Sequence, residues 1–194
     1  MLIYIHGFNS SALSLKAGVL RRRMAELRRA RELWCPELPH SPREAIALLE
    51  DRIVADPIRQ VALIGSSLGG FYATWLAERH GLKAVLVNPA MRPYELLEAF
   101  VGPQTNLYTG ETYWLTAQHL AELRSLEVES ITPERYLLMV ETGDEVLDYR
   151  QAVAKYRGCA QVVVEGGEHG FASFGERLPR ALAFCGVPLP ASPA

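Results

Sequence analysis

Short apolar segments alternate with helical patterns along most of the chain. Several of these segments are almost continuously hydrophobic (VALIG, AVLV, YLLMV and QVVV), which is typical of strands that are covered on both faces of a sheet. The predicted strands span residues 2–6, 32–38, 61–66, 84–88, 136–142 and 160–165. Strands that alternate with helices predict an α/β fold, in which a mostly parallel sheet carries helices on both faces.

Two helices can be predicted from the spacing of polar and apolar residues. The first is indicated by an apolar stripe with alternating steps of four and three residues. The stripe consists of Leu13, Ala17, Leu20, Met24 and Leu27. Ser41, Pro42 and Glu44 predict the start of the next helix, as its N-cap, its first residue and an acidic group in its first turn.

Residues 89–133 interrupt this alternation. The stretches PYELLEAF and TAQHLAELRSL have helical patterns, and the turn-rich stretch GPQTNLYTGETY separates them. A long excursion between two strands usually covers or shapes a binding site, so we expect a short helical cap insertion here. The proline-rich tail at residues 187–194 is expected to be frayed. We see no repeat and no long linker, which predicts a single domain over residues 1–194.

Composition and charge narrow the class of protein. The 194 residues include 20 Lys and Arg against 22 Asp and Glu, and this net charge of −2 argues against a nucleic-acid partner bound by a basic surface. No apolar run approaches the ~20 residues of a membrane helix, and the first residues lack the features of a signal peptide. Cys35, Cys159 and Cys185 form no close pair, as expected for thiols in a reducing compartment. We therefore expect a soluble cytoplasmic protein without membrane insertion.

The segment VALIGSSLGGFYATWLAERHG carries the most specific motif. A strand runs into Gly65-Ser66-Ser67-Leu68-Gly69 and a helix follows at once, which is the G-x-S-x-G nucleophile elbow in the context that it requires. Small flanking residues allow the strained turn that exposes the Ser67 hydroxyl at the helix N-terminus. The alternative is a glycine-rich turn with a chance serine. A phosphate-binding loop is excluded because no Gly-Lys-Ser/Thr ending follows.

A serine hydroxyl is a poor nucleophile unless a histidine accepts its proton, and proteins with this elbow order the triad as Ser, then Asp or Glu, then His. The histidines are His6, His40, His80, His119 and His169. Only the last two follow both Ser67 and a plausible acid. His119 lies in a helical pattern, whereas His169 follows a predicted strand behind a glycine turn. His169 is therefore the expected base, and the alternative is an exposed loop histidine.

The acid that orients this base is expected at Asp144. The aspartates are Asp51, Asp56, Asp144 and Asp148. The first two precede the serine, and Asp148 opens a helical pattern as an N-cap, whereas Asp144 follows a predicted strand behind a glycine turn. The alternatives to Asp144 are Glu141, Glu145, Asp148 and Glu168.

The stretch LIYIHGFNSS ends the first predicted strand, and the loop after that strand supplies one of two oxyanion donors in proteins with this elbow. The predicted donors are the N–H groups of Phe8 and Leu68, with the Asn9 N–H as an alternative to Phe8. Each such donor can be worth ~3–4 kcal/mol to a tetrahedral transition state. His6 is expected to be a structural polar residue of this loop rather than a second base.

Two further groups of residues bear on substrate binding. Tyr113 and Trp114 lie in the excursion and are candidates to line an acyl pocket. The first helix is basic, and its charged residues avoid the apolar stripe, which favours a solvated face over attraction of an anionic substrate. These basic residues are Lys16, Arg21, Arg22, Arg23, Arg28, Arg29 and Arg31.

Taken together, the motifs YIHGFNSS, IGSSLGGFYATWLAE, VNPAMRPYELL, YTGETY, TGDEVLDYRQAVAKY and EGGEHGF resemble those of the YqiA-like esterases, small bacterial α/β-hydrolase-fold proteins. The resemblance runs from residue 1 to about 186. It implies a compact α/β-hydrolase fold that lacks the first two strands of the usual eight, and a six-stranded sheet in the order 2-1-3-4-5-6. It assigns the family's motif serine, aspartate and histidine to Ser67, Asp144 and His169. Glu168 and Gly170 depart from the pattern, in which Asn and Ala flank the histidine.

The sequence thus predicts a serine hydrolase that cleaves small acyl esters or thioesters through an acyl-enzyme and needs no metal or organic cofactor. The resemblance implies short acyl esters and acyl-CoA thioesters as substrates. One alternative is a catalytically silent binding protein on a hydrolase fold. Another is the same triad acting on an amide, a lactone or a carrier-bound thioester.

Overall fold

The computed structural model of the protein describes residues 1–55 and 60–190. In chain order its strands are β1 (Leu2–Ile5), β2 (Leu33–Trp34), β3 (Ala62–Ser66), β4 (Lys83–Val87), β5 (Gly102–Thr105), β6 (Thr112–Leu115), β7 (Tyr136–Glu141) and β8 (Ala160–Val164). The α-helices are α1 (Leu15–Glu26), α2 (Pro42–Val54), α3 (Leu68–His80), α4 (Pro93–Leu96), α5 (Ala117–Ser125), α6 (Tyr149–Lys155) and α7 (Phe174–Phe184). Short 3₁₀ turns span Ala30–Glu32, Glu98–Phe100 and Pro133–Arg135.

Six strands form one parallel sheet in the order β2-β1-β3-β4-β7-β8, which confirms the predicted strands and their order. The predicted second strand is much shorter than expected and pairs only through Leu33 and Trp34. Pro36 and Pro39 explain the difference, because proline lacks the N–H that would continue the ladder. The carboxyl ends of all six strands meet at one edge of the sheet, where ligand sites form in open α/β sheets.

Helices cover both faces of the sheet, as predicted. One apolar cluster joins a face of the sheet to α2, α3, α5 and α6, and the other joins the opposite face to α1 and α7. The first helix buries Ala17, Leu20 and Met24 of the predicted stripe. Leu13 is an exception and is 71% exposed, because α1 begins only at Leu15. Each helix within the described residues is too short or too polar to span a bilayer.

The insertion at residues 89–133 differs from the predicted helical cap. Its helical ends are present as α4 and α5, but the stretch between them folds as an antiparallel hairpin of β5 and β6. The turn is closed by Asn106, whose side-chain oxygen accepts the N–H groups of Tyr108 and Thr109, and by Gly110 at a φ of 73°. Such short-range contacts within a turn leave no apolar periodicity in the sequence.

Two predictions concern parts of the chain that are only partly described. In the tail that was expected to fray, Val187 and Leu189 pack against the core, and residues 191–194 lie outside the described residues. Asp56, one of the candidate aspartates, also lies outside the described residues.

The first turn of α3 packs directly against the carboxyl end of β1. A side chain at Gly69 would collide with the backbone carbonyl groups of Ile5 and His6, so only glycine allows this approach. The contact brings the N-terminus of α3 against the carboxyl end of β1 and fixes where the β3–α3 turn lies.

We therefore expect Gly69→Ala to lower the free energy of unfolding by at least ~2 kcal/mol, since the clash involves backbone that cannot move aside. Gly18→Ala is the matched control: nothing lies within 4 Å of its added methyl group, and alanine in the exposed middle of α1 should raise stability by ~0.5–1 kcal/mol. Urea unfolding monitored by circular dichroism measures both changes. A Gly69→Ala protein as stable as the parent would show that the approach is not constrained.

Candidate active site

Ser67 occupies a strained turn between β3 and α3. Its φ of 54° and ψ of −120° lie in a region that non-glycine residues rarely adopt, at a cost of roughly 1–3 kcal/mol. The backbone on either side holds it there. The Ser67 N–H donates to the Val87 carbonyl at 3.0 Å, and the Ser67 carbonyl accepts the Ala90 N–H at 3.1 Å. This conformation turns the hydroxyl away from the strand axis toward the carboxyl edge of the sheet.

The structure brings Ser67, His169 and Asp144 into one hydrogen-bonded series. His169 Nε2 lies 3.1 Å from Ser67 Oγ, and His169 Nδ1 lies 2.9 and 3.0 Å from the two carboxylate oxygens of Asp144. An imidazole protonated at Nδ1 donates to the carboxylate and presents its Nε2 lone pair to the serine hydroxyl. This arrangement can remove a proton from Ser67 and so create a nucleophile.

The Asp144 carboxylate is held in its charged form although it is almost fully buried. Its side chain is 1% exposed, and Oδ1 accepts the N–H groups of Val146 at 2.9 Å and Leu147 at 2.8 Å. Burial raises the pKa of Asp144, but the hydrogen bonds from His169 and from these two N–H groups outweigh it and hold the pKa below its ordinary value. Asp144 therefore stays ionised beside the imidazole at neutral pH.

The loop that carries His169 (residues 165–173, the β8–α7 loop) is anchored by two buried side chains that the sequence analysis did not assign to this task. Glu141 ends β7, is 1% exposed, and accepts the Glu168 N–H at 2.9 Å, the Ser173 N–H at 3.2 Å and the Ser173 hydroxyl. Burial raises the pKa of Glu141, and the hydrogen bonds from Ser173 and Glu168 more than offset this and lower it.

Asn88 is the second anchor, directly after β4. Its amide donates to the carbonyl groups of Glu168 at 3.1 Å and His169 at 3.2 Å, and its oxygen accepts the Glu141 N–H at 3.0 Å. Asn88 is 2% exposed and has a φ of 40°. The one signal in the sequence was a polar residue directly after the apolar run AVLV, at the edge where sites form.

The other candidate acids have different partners. Glu145 accepts the backbone N–H of His169 at 3.0 Å, and Asp148 caps α6 by accepting the Arg150 N–H at 3.1 Å. Among the described residues, the carboxylate that hydrogen bonds to the imidazole is that of Asp144. No three His, Cys, Asp or Glu side chains in residues 1–55 and 60–190 form a group suited to a metal ion.

The predicted oxyanion donors belong to two segments that adjoin Ser67. As the first residue of α3, Leu68 has no acceptor for its N–H within the helix, and the N-terminal end of the helix favours negative charge. The second segment is the loop after β1 (residues 6–14, the β1–α1 loop). A Cβ added at Gly7 would be 3.1 Å from Ser67 Cβ and 3.6 Å from Ser67 Oγ. The N–H groups of Phe8 and Asn9 belong to the two residues that follow Gly7.

His6 has the structural role that the sequence suggested. Its Nε2 accepts the Leu38 N–H at 3.2 Å, and its Nδ1 proton is directed to the Gly7 carbonyl at 3.0 Å. Burial lowers the pKa of His6, so the ring stays neutral and both nitrogens remain engaged. His6 thereby fixes the start of the β1–α1 loop.

A cavity of about 230 Å³ lies beside the N-terminus of α3, between the β1–α1 loop, the segment after β2 and the hairpin. Its lining includes Gly7, Phe8, Leu38, Leu68 and Tyr113. Trp114, the second residue predicted to line the pocket, does not line this cavity, and its side chain is 67% exposed. Successive side chains of a strand point to opposite faces, so Tyr113 faces the cavity while Trp114 faces solvent.

Some basic residues of the predicted first helix pair with acids. Arg23 pairs with Glu26 at 2.9 Å within α1, and Arg29 pairs with Glu32 at 2.7 Å beyond its end. Lys16 has a different position, because its ammonium donates to the Gly170 carbonyl at 2.7 Å and so ties α1 to the β8–α7 loop.

The three cysteines are unbridged, half-buried thiols. Burial raises the pKa of Cys35 and Cys159 to about 11 and that of Cys185 to about 12. They are protonated, and therefore weak nucleophiles, at neutral pH.

Comparison with known proteins identifies both a family and a fold. A model of the family described as "Uncharacterised protein family (UPF0227)" matches residues 1–186. Similar solved structures include a protein of Agrobacterium vitis S4, with a TM-score of 0.75 and 17% identity over 95% of this chain and 87% of that one. Est1E from Butyrivibrio proteoclasticus has a TM-score of 0.70 and 18% identity over 93% of this chain and 84% of its own, and it has also been solved with ferulic acid bound.

A third neighbour is the monoacylglycerol lipase of Paleococcus ferrophilus, with a TM-score of 0.64 and 16% identity over 96% of this chain and 94% of its own. Identities this low show the fold alone. The parallel six-stranded sheet with helices on both faces is an α/β-hydrolase fold.

The anchoring role of Glu141 predicts a specific pH dependence of stability. Because the folded-state pKa of Glu141 lies below its ordinary value of 4.5, its contribution is complete above about pH 4.5 and is lost as the pH falls from there through the folded-state pKa. We expect Glu141→Gln to lower the free energy of unfolding at pH 7 by ~1.5–3 kcal/mol and to flatten the loss of stability below pH 4.5.

Urea unfolding at a series of pH values measures both effects. Glu165→Gln is the matched control, since this exposed carboxylate lies in the same loop and should leave the curve unchanged. Equal pH curves for Glu141→Gln and the parent protein would contradict the anchoring role.

Proposed function

The chain belongs to the UPF0227 family, the family of the YqiA-like proteins that its motifs resemble, and we propose that it is a serine hydrolase that cleaves carboxylic ester or thioester bonds of small acyl substrates. The observation that carries the proposal is the series of hydrogen bonds from Ser67 through His169 to the buried Asp144, at the carboxyl edge of the sheet. A nucleophile, a base and an orienting acid in these contacts are the requirements of acyl transfer.

In the first half-reaction the Ser67 oxygen attacks the carbonyl carbon of the substrate while His169 Nε2 accepts the hydroxyl proton. The carbonyl oxygen becomes an oxyanion that accepts hydrogen bonds from the N–H groups of Leu68 and Phe8, with Asn9 as the alternative to Phe8. The tetrahedral intermediate then collapses. The bond to the leaving alcohol or thiol breaks, His169 returns its proton to that group, and an acyl-enzyme remains.

In the second half-reaction water replaces the alcohol. His169 accepts a proton from the water as its oxygen attacks the acyl carbon, and then donates it to Ser67 Oγ as the ester bond to the enzyme breaks. Asp144 keeps the Nδ1 proton facing away from the reaction and stabilises the imidazolium that forms in each half-reaction. No step requires a metal or an organic cofactor.

The position of His169 distinguishes the two sides of the substrate. Since His169 gives its proton to the leaving group, the alcohol or thiol must lie on the histidine side of Ser67. The lining of the cavity of about 230 Å³ includes Phe8 and Leu68 but not His169, so we assign the acyl group to this cavity. This volume lies below the ~300–1,000 Å³ of typical ligand pockets and favours a short acyl chain. The ferulic acid bound to Est1E, a carboxylic acid, also supports carboxylic esters as substrates.

Reaction with a fluorophosphonate followed by intact-mass analysis and peptide mapping tests the proposed nucleophile. We expect a single stoichiometric adduct on Ser67. Ser67→Ala should abolish it and lower the hydrolysis of p-nitrophenyl acetate by roughly 10⁴-fold or more, because the members of a triad act as a unit.

The neighbouring Ser66→Ala is the matched control and should keep both the adduct and the activity. An adduct on another residue, or a Ser67→Ala protein that keeps more than half of the rate, would show that the nucleophile is wrongly assigned. A folded protein that forms no adduct would favour a silent binding protein.

The assignment of the acyl cavity predicts selectivity on one side of the ester only. With p-nitrophenyl esters, kcat/KM should fall by about 10-fold or more between butyryl and octanoyl chains, whereas changing the alcohol of an acetyl ester to one of similar reactivity should have little effect. Leu38→Ala enlarges the cavity and should shift the optimum to longer acyl chains. Its backbone N–H, which donates to His6, is retained. Strong selectivity for the alcohol instead would place the leaving group in the cavity.

A further inference from the structure

The hairpin of the insertion is fastened to the β1–α1 loop by the side chain of Asn9. The Tyr113 hydroxyl donates to Asn9 Oδ1 at 2.7 Å, and Asn9 Nδ2 donates to Gln104 Oε1 at 3.1 Å. Tyr113 belongs to β6 and Gln104 to β5, where the two residues face each other in the hairpin register. One carboxamide therefore contacts both strands of the hairpin.

The backbone of the loop makes two further contacts with the hairpin turn. The Leu107 N–H donates to the Asn9 carbonyl at 3.3 Å, and the Asn106 side-chain amide donates to the Ser10 carbonyl at 2.8 Å. These partners are almost a hundred residues apart in the chain. The N–H groups of Phe8 and Asn9, the two candidate oxyanion donors of this loop, belong to the stretch that the contacts hold.

Asn9 itself has an unfavourable backbone conformation. Its φ of 48° lies in the left-handed region, which asparagine tolerates better than most residues but which still has to be maintained by its surroundings. This angle sets the direction of the Asn9 N–H relative to the part of the loop that contacts the hairpin, and the Phe8 N–H lies one peptide unit before it. An oxyanion donor works only when it is held close to its productive direction, within tenths of an ångström.

We propose that the Tyr113 hydroxyl and the Asn9 carboxamide form a positioning pair that fixes the β1–α1 loop with its oxyanion donor directed at the substrate carbonyl. This role rests on the proposed serine hydrolase activity. The pair itself touches no reacting atom and acts through the backbone of residues 8 and 9. Burial raises the pKa of Tyr113 to about 12, so its hydroxyl remains a donor at neutral pH.

The pair also connects the acyl cavity to the oxyanion donors. The Tyr113 ring lines the cavity and stacks on His40, with the ring centroids 4.5 Å apart. An acyl group that fills the cavity therefore packs against the residue that fixes the loop. The insertion thus takes part in the geometry of the reaction centre as well as covering it.

Tyr113→Phe tests the pair, because it removes the hydroxyl and keeps the ring in the cavity wall. Loss of one oxyanion donor costs ~10²–10³ in rate, so a donor that is only less well directed should lower kcat by about 10-fold. KM for p-nitrophenyl acetate should change by less than about 2-fold, since the acyl cavity keeps its shape. Fluorophosphonate titration of Ser67 corrects each rate for the fraction of active protein, and thermal unfolding confirms that each variant is folded.

A boronic acid supplies the measurement that a merely structural role would not affect. Its tetrahedral adduct with Ser67 has an oxygen at the oxyanion position, so its affinity for Tyr113→Phe should fall by the same factor as kcat. The affinity for the matching carboxylic acid product should stay within about 2-fold of that of the parent protein.

Asn9 variants and a second tyrosine complete the test. Asn9→Gly accommodates the positive φ without the carboxamide, and adding Tyr113→Phe to it should lower kcat no further, because both changes remove the same interaction. Asn9→Asp keeps the acceptor for Tyr113 and should keep more of the rate than Asn9→Gly. Tyr108→Phe, in the turn of the same hairpin, is the matched control and should keep the parent kcat within about 2-fold.

Two results would overturn the positioning pair while leaving the hydrolase intact. In one, Tyr113→Phe behaves like Tyr108→Phe. In the other, Tyr113→Phe raises KM or lowers kcat while the boronic acid binds as before, which would make Tyr113 only a wall of the cavity. If the parent protein itself forms no adduct on Ser67, the proposed function fails first and the role of the pair fails with it.

Discussion

The site depends on how closely the first turn of α3 approaches the end of β1. Gly69 lies against the backbone carbonyl of Ile5, and this contact leaves no room for a gradual turn between β3 and α3. Ser67 must therefore adopt a positive φ, which hydrogen bonds to Val87 and Ala90 maintain. The same approach brings the β1–α1 loop beside the serine. The exposed hydroxyl and its surroundings thus follow from helix–sheet packing.

Two buried carboxylates near the end of β7 have complementary tasks. Glu141 accepts hydrogen bonds from the backbone on both sides of His169 and determines where the loop lies. Asp144 accepts a hydrogen bond from the imidazole N–H and determines how the ring is oriented. Each is buried, and each keeps a lowered pKa because N–H and O–H donors surround its oxygens. Position and orientation of the base are therefore supplied by separate acids, so a change in one leaves the other in place.

The strands could be predicted from apolar runs, and Ser67, Asp144 and His169, which meet at the carboxyl edge, from a short motif and from the order of residue types along the chain. The strand order was implied by the family resemblance. The hairpin was not predicted, since its turn depends on the side chain of Asn106 rather than on a periodic pattern. Nor were the anchoring roles of Asn88 and Glu141, whose partners lie 27 to 81 residues away. Apart from the position of Asn88 directly after a strand, nothing in the sequence indicates which distant backbone groups these two side chains contact. The prediction that Trp114 lines the pocket was wrong for a related reason. Which face of a strand a side chain occupies can be predicted only once the strand itself has been recognised.

The residues around Ser67 come from loops that follow β1, β3, β4, β7 and β8, and His169 lies 102 positions after the serine. A nascent chain that has emerged from the ribosome only as far as Asp144, just after β7, contains the elbow and the acid but lacks His169. Under the proposed function, hydrolysis therefore requires that β8 has docked at the edge of the sheet and brought His169 to Ser67. The proposed function thus predicts that a chain without β8 and the loop after it forms the elbow but does not hydrolyse esters.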